Sequence, residues 1–65
     1  MKIEVNGEPR EVAGCTVAEV LEELGWGEAR VATALNGTFV PAVDRGARSL
    51  AAGDRLEVLA PMQGG

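Results

Sequence analysis

The chain has 65 residues, 6 Lys+Arg against 10 Asp+Glu, one cysteine and no histidine. One domain of this size buries only about 60% of its unfolded surface; a single thiol rules out an internal disulfide, and without histidine neither a zinc site nor histidine-based acid–base or triad chemistry is expected. The net charge of −4 argues against nucleic acid and anionic membrane as partners, both of which select basic surfaces, and fits docking to a basic protein surface.

Ile3 and Val5 alternate with Lys2 and Glu4, the period of a half-buried strand. Asn6-Gly7 then signals a tight hairpin, because both residues accept positive φ. A return strand is expected from about Pro9 to Val12, starting at Pro9 or lying at a sheet edge, since proline has no amide to donate. Ala13-Gly14-Cys15 reads as a loop.

At Thr16 the period changes. Thr16-Val17-Ala18-Glu19 has the spacing of a capping box. Val17, Val20, Leu21 and Leu24 fall at i, i+3, i+4 and i+7, one apolar stripe on a short helix. Glu19, Glu22 and Glu23 take the solvated side, and Gly25 is placed as a left-handed stop. So short a helix is unstable alone and must pack on a sheet.

Trp26 to Arg30 is a connection, with Trp26 expected to cover the helix end. Val31–Leu35 and Thr38–Val40 read as a second hairpin around Asn36-Gly37, closed by Pro41, and Phe39 is expected in core or sheet-face packing. Residues 42–52 carry little periodicity, with Leu50 as a core plug. Arg45, Arg48 and Arg55 read as scattered surface charge. Gly53-Asp54 turns the chain into Arg55–Leu59, where Leu56 and Val58 point inward. This order implies an α+β fold with one helix across one face of a mixed sheet of four to five strands. Two hairpins flanking the helix suggest a β-grasp, with the first and last strands parallel at the centre; a ferredoxin-like half or an SH3-like barrel with a helix fits the same periodicity. Residues 1–60 form the domain.

Residues 61–65, Pro61-Met62-Gln63-Gly64-Gly65, form a tail expected to be mobile. Pro61 ends the ladder. Gly64 and Gly65 have no Cβ, so the terminal carboxylate is sterically bare and can thread a narrow channel. Five extended residues span about 17 Å, enough for the tail to enter a partner's active site while the domain docks outside. No acid, base and nucleophile converge anywhere in the sequence, so the chain reads as a non-enzyme whose reactive group is its own terminus.

The whole chain resembles the ThiS family of ubiquitin-like sulfur carriers. The resemblance is carried by Met1-Lys2-Ile3-Glu4-Val5-Asn6-Gly7, by Gly14-Cys15-Thr16-Val17-Ala18-Glu19-Val20-Leu21 and by Ala34-Leu35-Asn36-Gly37-Thr38-Phe39-Val40-Pro41. Leu50-Ala51-Ala52-Gly53-Asp54 and the ending Met62-Gln63-Gly64-Gly65 complete it. It implies a β-grasp fold and a cytoplasmic carrier that binds no cofactor itself. An E1-like adenylyltransferase using ATP and magnesium would adenylate the Gly65 carboxylate. Sulfur from a cysteine desulfurase would convert it to a thiocarboxylate, and a thiazole synthase would accept that sulfur for thiamine. Gly65 would be the modified residue, with Gly64, Gln63, Met62 and Pro61 as the recognised tail. Carriers for molybdopterin, transfer-RNA thiolation or a sulfur-containing metabolite share the fold and the diglycine, and a ubiquitin-like interaction or conjugation module is the third reading. The family pattern does not require a cysteine at Cys15, so Cys15 inherits no role.

Overall fold

The computed structural model describes residues 1–27 and 30–60. Five strands form one mixed sheet: β1 (Lys2–Val5), β2 (Glu8–Glu11), β3 (Ala32–Leu35), β4 (Thr38–Val40) and β5 (Arg55–Leu59), with helix α1 (Val17–Glu23) between β2 and β3. The order across the sheet is β2-β1-β5-β3-β4. The first and last strands run parallel at the centre, and each carries an antiparallel neighbour outward. This is the ubiquitin-like β-grasp arrangement.

Both hairpins form as expected. Asn6 and Asn36 sit at φ 53° and 51°, followed by Gly7 and Gly37 at 84° and 85°. Two successive positive φ values make the tight turn whose twist matches its flanking strands. That turn pairs Val5 with Glu8, so β2 starts one residue before Pro9 and ends at Glu11. Pro9 lies within this edge strand, and Val12 is buried just beyond it.

The helix begins and ends on side-chain and backbone signals. Thr16 Oγ1 accepts from the Glu19 amide at 3.2 Å, and Glu19 Oε1 accepts from Thr16 N–H at 3.3 Å and Cys15 N–H at 2.7 Å. The remaining free amides of the first turn reach across the fold: Val17 N–H donates to the Arg48 carbonyl at 3.0 Å, and Ala18 N–H to that of Arg45 at 3.1 Å. Residues 45–48, which have no periodicity of their own, are thus ordered by the donors that a helix N-terminus leaves unpaired. At the other end Trp26 N–H bonds the Leu21 carbonyl and Gly25 N–H that of Glu22, a Schellman stop with Gly25 at φ 94°.

Val17, Val20 and Leu21 of α1 close over Ile3, Val5, Val12, Leu35, Val40, Leu56 and Val58 as one buried core. Leu24, Trp26, Val31, Leu50 and Met1 pack around its rim. Trp26 therefore covers the helix end as expected, while Leu50, expected as a core plug, is only partly buried and packs against the core from its rim. A short 3-10 turn, Ala42–Asp44, follows β4. Arg45 behind it is no scattered surface charge: its Nε donates to Thr33 Oγ1 at 3.1 Å and its Nη2 to the Val31 carbonyl. That guanidinium ties the loop to the first residues of β3.

Candidate functional site

Pro61, Met62, Gln63, Gly64 and Gly65, the residues expected to carry the chemistry, lie outside the described residues. The structure describes the platform they leave from. β5 is the central strand, held by β1 on one side and β3 on the other. Leu56 and Val58 are its anchors, 0% and 4% exposed beneath the helix. Side chains alternate across a strand, so Arg55, Glu57 and Leu59 point to the opposite, uncovered face of the sheet.

That outer face divides in two. Lys2, Glu4, Pro9 and Glu11 occupy the β1–β2 side and are all exposed. On the β3–β4 side Ala34 pairs with Phe39, and Ala32 with Leu59. Phe39 is 64% and Leu59 67% exposed, so an apolar patch adjoins the last residues before the tail. Phe39 thus belongs to the outer sheet face and contributes nothing to the core. Leu59 was legible as the outward partner of Leu56 and Val58 through strand parity alone, yet its place beside Ala32 needed the sheet order.

Two asparagines hold β5 by their side chains. Asn36 Oδ1 accepts from Arg55 N–H at 2.9 Å, while its Nδ2 donates to Asp54 Oδ1 at 3.1 Å. Asn6 Oδ1 accepts from Val58 N–H at 2.8 Å, and its Nδ2 donates to the Val58 carbonyl at 3.1 Å. The sequence marked both as turn residues; nothing local marks them as clamps on a strand up to 52 residues away.

The acidic helix face is solvated as expected, with Glu19, Glu22 and Glu23 all exposed, and two of its carboxylates also accept from backbone amides. Glu23 accepts from Ala13 N–H with both carboxylate oxygens at 3.0 Å and from Gly14 N–H at 3.0 Å. The Ala13 bond, then the Gly14 bond, holds its carboxyl below the ordinary glutamate value. Together Glu19 and Glu23 satisfy the amides of the loop from Ala13 to Thr16. Cys15 is an exposed free thiol in that loop. Among the described residues no three His, Cys, Asp or Glu side chains converge as a metal site, and no helix is long and apolar enough to cross a membrane. What the described residues offer is a central strand paired on both sides and an apolar patch on the outer face at its C-terminal end.

Comparison with known proteins is consistent from sequence to fold. The ThiS family model matches residues 3–65. A curated relative, the sulfur carrier protein ThiS of Thermus thermophilus, is 46% identical over 61 residues, covering 94% of this chain and 95% of its own. A crystal structure of the thiamine biosynthesis protein ThiS from Geobacter metallireducens superposes with a TM-score of 0.85 at 35% identity, covering both chains completely. A solution structure of a thiamine biosynthesis protein from the same organism gives 0.78 at 33% identity, over 100% of this chain and 88% of the other. With a family match that runs from the first strand through Gly65, the chain belongs to the ThiS family.

Proposed function

We propose that the protein is a sulfur carrier of thiamine biosynthesis whose reactive group is the Gly65 carboxylate. The observation that carries this reading is the position of β5: the central strand, anchored by Leu56 and Val58, is the last element of the domain, and the sequence after it ends in Gly64-Gly65. The family match through residue 65 and the names of the relatives support it.

In this reading an E1-like adenylyltransferase presents ATP and magnesium to the tail. The Gly65 carboxylate attacks the α-phosphorus, pyrophosphate leaves and a mixed anhydride with AMP forms. The outer sulfur of a persulfide supplied through a cysteine desulfurase attacks the acyl carbon and AMP leaves, giving an acyl disulfide. A thiol then cleaves the S–S bond, is itself oxidised to a disulfide, and releases the Gly65 thiocarboxylate. A thiazole synthase then takes that sulfur. Gly64 lets the backbone pass a narrow channel, while Pro61, Met62 and Gln63 set its direction and contacts. The protein acts as a cosubstrate in the cytoplasm, and docking replaces free sulfide by a reagent at high local concentration.

The apolar patch of Ala32, Ala34, Phe39 and Leu59 is the docking face in this reading, because it includes the last residue of β5 and contiguous exposed apolar side chains mark interaction sites. Activating and accepting enzymes use it in turn and so compete. The test is the acceptor assay: the thiolated protein is mixed with a thiazole synthase and its substrates. Thiazole formation that stops when Gly65 is deleted is expected. An unchanged melting temperature in the same deletion is also expected, since the described core closes at Val58. A thiolated carrier from which the synthase takes no sulfur overturns the thiamine assignment.

A further inference from the structure

β1 runs out of main chain before β5 does. Along their parallel pairing Glu4 N–H bonds the Asp54 carbonyl at 2.9 Å and Asn6 N–H that of Leu56 at 3.0 Å. Then Asn6 turns left-handed at φ 53° and the backbone leaves the sheet. The next pair of β5 groups facing β1, the N–H and C=O of Val58, would be orphaned there. The Asn6 carboxamide takes both, at 2.8 and 3.1 Å. It has the donor and acceptor of a peptide group, and it extends the ladder by one rung that β1 itself cannot supply. Beyond that rung Leu59 pairs only with β3, through Ala32.

From this geometry we propose that Asn6 is a positioning residue for the tail: it fixes the last two-sided rung of β5 and thereby the direction in which the chain leaves toward Gly65. The inference rests on the carrier reading above. Productive adenylation requires the terminal carboxylate to meet the α-phosphorus in line, and small misplacements are expensive for such a reaction. Asn36 is the natural control. It bonds the same strand in the same kind of turn, but at Arg55, the end remote from the tail.

The experiment compares Asn6→Gly with Asn36→Gly in the full chain. Glycine keeps the positive φ of each turn and removes only the carboxamide. ATP–pyrophosphate exchange with the E1-like adenylyltransferase is measured as kcat and KM for the carrier. N6G is expected to lower kcat by about tenfold with KM unchanged, because the docking patch is untouched. N36G is expected to lose melting temperature as N6G does and to keep both constants. In N6G the Val58 amide also exchanges with solvent faster than in the parent protein. Should N6G melt below the assay temperature, N6D replaces it, since its carboxylate still accepts from Val58 N–H but meets the Val58 carbonyl acceptor-to-acceptor and opens that half of the rung. Equal kcat in the two variants, or an effect on KM alone, overturns the positioning role. A parent protein that supports no exchange at all would instead overturn the carrier reading.

Discussion

The two hairpins share one turn and differ in almost everything else. Asn6-Gly7 and Asn36-Gly37 have nearly identical φ values, and each asparagine grips β5. The strand returning from the first turn, Glu-Pro-Arg-Glu, is exposed at every position. The strand returning from the second, Thr-Phe-Val, buries Val40 and presents Phe39 outward. Charge and a proline without an amide blunt the first edge against unwanted pairing. The second edge keeps an apolar side chain on the outer face, paired with Ala34 of β3. The same local chemistry thus builds a closed flank and a receptive one, and the division of the outer face follows from it.

The largest effect should come where the two halves meet. Leu56 pairs with Val5 on one side and Leu35 on the other. Leu56→Ala is expected to cost about 2–5 kcal/mol, and thermal melting should show both hairpins lost in one transition. Two separate transitions would mean that the halves are not one cooperative core. Next come the turns. Gly7→Val and Gly37→Val each force a β-branched residue into left-handed backbone, at about 1–2 kcal/mol apiece. Denaturant titration should find the two costs alike, because the turns are alike.

Binding should then separate what stability does not. Phe39→Ser is expected to change stability by no more than about 0.5 kcal/mol, yet to weaken the complex with the adenylyltransferase roughly tenfold. Arg10→Ser, on the blunted strand, should leave that affinity alone. Calorimetric titration of both variants decides whether the receptive flank is the docking face.

The smallest effect concerns the loops that leave each hairpin. After β2 the chain is held by the Glu23 carboxylate through Ala13 and Gly14. After β4 it is held by the Arg45 guanidinium through Thr33 and Val31. The Glu23 pKa is lowered in the fold from its ordinary 4.5. Its contribution is therefore complete above that value and disappears as the pH falls through the lower folded one. Amide exchange, corrected for its intrinsic pH dependence, should accelerate at Ala13 and Gly14 in acid before the strands respond. Glu23→Gln should remove that pH step.

Much of this architecture could be read along the chain. Thr38–Val40 and Arg55–Leu59 match their observed bounds, because β-rich residues there sit between a turn and a stop. Thr16, Glu19 and Gly25 announced the helix ends. What could not be read is whatever depends on residues distant in sequence. Arg45 looked like loose charge because its partners, Val31 and Thr33, come from the preceding hairpin. Glu23 is exposed as read, but its bonds were hidden because the amides it accepts from lie 9 and 10 residues upstream, outside helical spacing. The Asn6 clamp needs the parallel crossing of the first and last strands, which periodicity alone left open. Phe39 shows the same limit: its strand was legible, the layer it faces was not.

The central claim concerns one atom at the terminus, and the most direct measurement is the intact mass of the protein after incubation with the adenylyltransferase, ATP and a sulfur source. The account predicts a gain equal to the exchange of one oxygen for sulfur, localised by fragmentation to Gly65 and absent when ATP is withheld. An unmodified terminus in a protein that is folded and whose Gly65 is intact would contradict it.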